Sequence, residues 1–116
     1  MRFEKAFTAD ALAKSGDFTA VHIEDADRSV EGSFATDLLS HAIGNAKSGD
    51  AWLTVLTNPN IIAPASIADV ACLVICDNIE PTELLINKCE TMGISLFKTE
   101  LPVTDAAVKL YLLGKE

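Results

Sequence analysis

From Asp50 onward, short apolar runs alternate with segments whose apolar residues recur every three or four positions. The runs are AWLTVL (51–56), ACLVIC (71–76) and ISLF (94–97), and small polar residues follow each one: Thr57-Asn58-Pro59-Asn60, Asp77-Asn78 and Lys98-Thr99-Glu100. A continuous run of β-formers such as ACLVIC predicts a strand covered on both faces. Upstream, Phe7 to Lys14 reads as a short helix ended by Gly16-Asp17, and Thr19 to Ile23 as a strand. The acidic stretch Glu24-Asp25-Ala26-Asp27 is a turn, and Ser29 to Phe34 is a second strand that Gly32 weakens.

The helices follow from spacing and caps. Thr36 or Asp37 is expected to cap a helix burying Leu39, Ala42, Ile43 and Ala46, which Lys47-Ser48-Gly49-Asp50 closes. Pro64 clashes with the carbonyl four residues back, so the next helix begins near it and is short. Pro81 suits a first helical turn, with Leu85, Cys89 and Met92 on one face and Gly93 at the end. Thr104 caps a last helix that turns Ala107, Leu110 and Tyr111 inward, and Gly114 stops it. Strands separated by helices of about ten residues imply right-handed crossovers. The expectation is one α/β domain over residues 1–116, a three-layer α/β/α arrangement with a mostly parallel sheet of about 4–5 strands.

Composition narrows the function. A chain of 116 residues, 49% hydrophobic and 22% charged, can bury a core without disulfide or metal staples. Its formal charge of −8 repels phosphate backbones and anionic lipid, so no nucleic-acid or membrane partner is expected. No stretch approaches the roughly 18 apolar residues of a membrane span, and the N-terminus lacks a signal-peptide core. Three cysteines, an odd number, fit buried thiols in a reducing cytoplasm.

Several polar residues are candidates for chemistry. Open α/β sheets place ligands beyond the carboxyl ends of their strands. Ser33, Asp37, Thr57, Asn58, Asn60, Asp77, Asn78 and Thr99 would form such a rim, offering hydroxyl and amide groups to a small polar ligand. The plainer alternative is that Asn58 caps a turn and Asn60 satisfies it. Cys72 and Cys76 lie about 13 Å apart along one strand, too far to share a metal ion, so they read as core and no metal site is expected. Cys76, at a strand end, is the one thiol with a case for reactivity. His41 lies four positions after Asp37 and could meet it on a helical face, as a solvated pair or as an acid–base pair. His22 reads as an edge residue. The chain holds neither G-x-x-x-x-G-K-[ST] nor G-x-G-x-x-G, so no cofactor and no kinase chemistry are expected.

The segment ACLVICDNIEPTELLINKCETMGISLFKTELPVTDAAVKLYLLG resembles the DRTGG domain and the related N-terminal domain of HPr kinase/phosphorylase. The shared order is a buried strand, a turn, an acidic-Pro helix start, a helix ending at Gly-Ile, a short strand and a Thr-containing turn. TDLLSHAIGNAKSGDAWLTVLTNPNIIAPASIADVA is similar to small stand-alone members, so the likeness runs over residues 30–114. It implies an α/β/α fold, self-association as a homodimer, and a regulatory role beside CBS domains or near iron hydrogenase genes. The chain departs from the family at Cys76-Asp77-Asn78, where no glycine stands. The implied function is a non-catalytic sensory module with a small polar ligand or protein partner. Its alternatives are a small transferase or hydrolase using Asp37, His41 and Asp77, and an adaptor anchored by Trp52, Phe97 or Tyr111.

Overall fold

The computed structural model describes all residues from Met1 to Glu116. Six strands form one sheet: β1 (Arg2–Thr8), β2 (Thr19–His22), β3 (Ser29–Ala35), β4 (Asp50–Thr54), β5 (Cys72–Ile75) and β6 (Leu96–Lys98), in the order β1-β3-β4-β5-β6-β2. The four central strands are parallel, while β1 and β2 pair antiparallel with β3 and β6 at the two edges. The sheet is therefore mixed, and larger than the four to five mostly parallel strands expected.

The central strands divide their side chains by the two-residue period of extended chain. Ala51, Leu53, Cys72, Val74, Cys76 and Phe97 face one core, and Trp52, Leu73, Ile75 and Leu96 face the other. Helices α1 (Ala9–Ala13) and α5 (Val103–Leu113) cover the first face with Leu12, Ala106 and Leu110. Helices α2 (Leu39–Asn45), α3 (Ile62–Ala68) and α4 (Glu83–Met92) cover the second with Ala42, Ile62, Ala65, Leu85 and Cys89. The three layers match the expectation.

The largest departure is β1, which the reading of Phe7 to Lys14 as helix overran. Thr8 is the cap, its Oγ1 accepting from Ala11 N at 3.1 Å, so the helix starts only at Ala9. Phe3 and Phe7 stack with centroids 5.3 Å apart, and Lys5 N donates to the Gly114 carbonyl. Gly114 serves this contact, since a Cβ there would lie 2.5 Å from Phe3 Cβ. Gly32, which weakened the case for a strand, is what lets β1 approach: a Cβ would fall 2.5 Å from the Met1 carbonyl oxygen.

Several caps differ from expectation. Helix α2 has no side-chain cap: Asp37 is bonded elsewhere, and Thr36 accepts from Leu38 N within the loop. Pro81 precedes the cap of α4, which is Thr82, with its Oγ1 accepting from Leu85 N at 3.2 Å. Pro102 stands at the cap of α5, leaving Thr104 inside the helix. Gly93 ends α4 as expected, in the left-handed region at φ 71°. Ile43 and Met92 face solvent rather than the core, and Tyr111 is half-buried.

Candidate functional site

The connections leaving the parallel strands explain where a crevice can form. The chain leaves β3, β4 and β5 toward α2, α3 and α4, all on one face, but leaves β6 toward α5 on the other. Loops that turn to the same side pack against each other, whereas loops that diverge leave a gap between them. The divergence falls between β5 and β6.

At β3 and β4 the polar groups satisfy one another. Asp37 Oδ1 accepts from Thr54 Oγ1 at 2.6 Å and from Val55 N at 3.0 Å. Trp52 Nε1 donates to the Thr36 carbonyl at 2.9 Å, pinning the same loop from within the core. Asn58 Oδ1 accepts from Asn60 N at 2.8 Å and caps a 3₁₀ turn over Pro59–Ile61, the plainer of its two expected roles. The Thr57 carbonyl accepts from Thr82 Oγ1 at 2.8 Å. Ser33 is buried inside β3, opposite Ala51, and is not on the rim.

At β5 and β6 a cleft of about 250 Å³ opens. Asn78-Ile79-Glu80 forms one wall, Lys98-Thr99-Glu100-Leu101 the second, and Gly16, Asp17 and Thr19 the third. Of the expected rim, Asn78 and Thr99 line this cleft, while Ser33, Asp37, Thr57, Asn58, Asn60 and Asp77 do not. The third wall comes from the loop before β2, which reaches the cleft because Thr19 pairs with Lys98. That juxtaposition has no signal in local sequence. Glu80 and Lys98, by contrast, flank the polar strand ends and were within reach of the same reasoning.

The walls are held by backbone bonds. Asp77 and Asn78 have φ of 65° and 57°, and Ile79 N donates to the Cys76 carbonyl, a type I′ turn. Asp and Asn thus occupy the left-handed positions that glycine would otherwise take. Asp77 N and Asn78 N donate sideways to the carbonyls of Leu101 and Thr99, at 2.8 and 3.0 Å. Thr99 Oγ1 donates to the Asp17 carbonyl at 2.7 Å and accepts from Leu101 N, clamping the second wall to the third. Lys98 Nζ sits 3.0 Å from both carboxylate oxygens of Glu80. Asp17, Glu80 and Glu100 bring three carboxylates to the cleft; Glu80 is paired with Lys98 and Asp17 with Lys109, whose Nζ is 3.7 Å from Asp17 Oδ2, so Glu100 has no cation partner.

All three cysteines are free thiols buried in the two cores. Burial pushes the Cys76 thiol up to about 12, against the weaker effect of a hydrogen bond with the Thr54 backbone, so the case for its reactivity falls. Burial also raises Cys72 to about 12 and Cys89 to about 11. Cys89 lies across the sheet from the other two, and no group of three potential metal ligands converges anywhere in the chain. His41 stacks on Phe34, with centroids 5.6 Å apart, instead of meeting Asp37. Trp52 and Phe97 are fully buried, which removes two of the three adaptor anchors. No helix is long and apolar enough to cross a membrane.

No protein-family model matches the chain, and no curated protein matches it in sequence. A solved structure shares the fold: the CBS and DRTGG domains of the regulatory region of Clostridium perfringens pyrophosphatase, complexed with the activator diadenosine tetraphosphate. The TM-score is 0.67 at 16% identity, over 94% of this chain and 52% of that one. The chain spans about half the length of that regulatory protein, and what the two share is the fold.

Proposed function

We propose that this chain is a non-catalytic regulatory module that binds a small polar ligand in the cleft between β5 and β6 and acts as a homodimer in the cytoplasm. The observation that carries the reading is the cleft itself. It sits where the loops diverge, and hydroxyl, amide and charged groups from three loops line it. The fold shared with a pyrophosphatase regulatory region supports a sensory role, and a hydrogenase-associated setting is the one the family resemblance offers.

Size and charge define the ligand class. A volume of about 250 Å³ lies just below the range of roughly 300–1,000 Å³ for drug-sized ligands. An amino acid or small amine suits it better than a dinucleotide polyphosphate. Three carboxylates against two lysines, in a chain of charge −8, also disfavour a polyphosphate, which would meet repulsion at Glu100 and at long range.

Thermal-shift screening with amino acids, amines, nucleosides and nucleotides, diadenosine tetraphosphate included, tests this. A ligand at 100 times its Kd stabilises the native state by about 2.7 kcal/mol. The expected result is a raised Tm from a small polar compound, abolished in the Lys98→Ala, Glu100→Ala double variant. If nothing shifts the Tm, or the double variant retains the shift, the proposal fails.

The enzyme alternative using Asp37, His41 and Asp77 draws less support. No hydrogen bond links the three, and Asp37 is occupied by Thr54 and Val55.

A further inference from the structure

Charge is spread unevenly over this molecule. The chain carries 17 acidic and nine basic residues, yet none falls between Leu38 and Ala46 or between Ala51 and Ala68. These two stretches hold α2 and α3, which pack side by side on the second face of the sheet. Their outward side chains include Leu38, Ile43 and Ile67, exposed to 62%, 46% and 66%. Asn58, Asn60 and Ser66 extend the face with neutral polar groups, and His41 is its only ionisable side chain.

Other exposed apolar residues lie among charges. Val108 and Leu112 flank Lys109 on α5, and Leu84 and Met92 share α4 with Glu83, Lys88 and Glu90. Isolated apolar side chains of that kind are ordinary on a protein surface. Two adjacent helices with no charge in a chain of −8 are not.

We infer that the uncharged face of α2 and α3 is the surface by which two copies of this chain associate, an inference that rests on the homodimer reading above. In a two-fold contact the same patch meets itself, so a charge near the axis faces its own copy. Two chains of −8 repel as they approach, and the face without charge is where that repulsion is least. A basic partner, drawn to this acidic protein by opposite charge, would find no carboxylate on α2 and α3 to pair with. A standard interface takes about 800 Å² from each partner. That is on the order of one-seventh of the 5742 Å² exposed here, more than two seven-residue helices supply. The Asn58–Asn60 turn must join the contact, and an affinity on the order of micromolar is expected.

Sedimentation or light scattering of the full chain from about 5 to 200 μM tests the inference. Wild type is expected to move from 12.4 kDa toward twice that mass. Ile67→Glu and Ile43→Glu should each remain at one chain's mass with unchanged circular dichroism, while Leu112→Glu on the opposite layer dimerises as wild type does. Should either glutamate variant misfold, Ile67→Ser and Ala63→Glu probe the same face. Added salt gives an independent reading: association through an uncharged face tightens several-fold as repulsion is screened. Dimers that survive every substitution on the face, or that salt dissociates, overturn the assigned surface and leave the homodimer reading intact. A wild-type mass of one chain throughout overturns both.

Discussion

Two neighbouring parts of the sheet's carboxyl end finish in polar residues, yet a cleft lies at only one of them. Beyond β3 and β4, Asp37, Thr54, Thr57 and Asn58 spend their hydrogen bonds on the chain itself. Beyond β5 and β6, Asn78, Glu80, Lys98 and Thr99 surround a cleft of about 250 Å³. Residue type does not separate the two regions. What separates them is the direction of the connections, parallel in the first and divergent in the second.

The strongest way to break the comparison is Trp52→Ala, which should collapse the first region. It removes a fully buried indole and orphans the Thr36 carbonyl, and a loss of about 3–5 kcal/mol is expected in denaturant melts. Thr99→Val should cost about 2–3 kcal/mol, because a buried hydroxyl that both donates and accepts is lost with its shape kept. It should also weaken ligand binding, since it frees the Asp17 wall. Asp37→Ala should cost about 2 kcal/mol through the bonds to Thr54 and Val55 but leave binding unchanged. Equal binding losses in Thr99→Val and Asp37→Ala would erase the distinction between the regions.

Cys76 lies at the end of β5 and links the two. Its folded pKa of about 12 stands above the ordinary 9.0, so above pH 9 the unfolded chain loses this proton first. Stability then falls with rising pH, by up to about 1.4 kcal/mol per pH unit for this thiol. Relative to Cys76→Ala, wild type should therefore lose stability between pH 9 and 11 and show no such relative loss between pH 6 and 8. The smallest effect sharpens the turn at the cleft wall. Asn78→Ala should cost about 1 kcal/mol at φ 57°, whereas Asn78→Gly should be neutral or stabilising.

Much of the fold was legible from residue pattern. The β-rich run 71–76 is the buried β5, and Gly93 ends α4 with the positive φ that glycine permits. These depend on neighbours in sequence, where period and cap chemistry act. The first strand was not legible: Phe3 and Phe7 share a face four residues apart, a spacing that also fits a helix, and Thr8 both ends the strand and caps α1. Of the eight expected rim residues, only Asn78 and Thr99 line the cleft, for the same reason. Strand ends can be read from composition, but Asn58 and Asn78 look alike until their partners are known.

By itself, the sequence determined the alternation of strands and helices, the three layers, the buried thiols, and the uncharged stretches that α2 and α3 carry. Those follow from local propensity and from which residues avoid water or bear charge. Only the tertiary structure decided that β1 and β2 join as antiparallel edges, that the chain leaves β6 on the opposite face from β5, and that Asp17 meets Thr99 across 82 residues of sequence. Such contacts are set by how the layers close around two cores, and no local pattern records them.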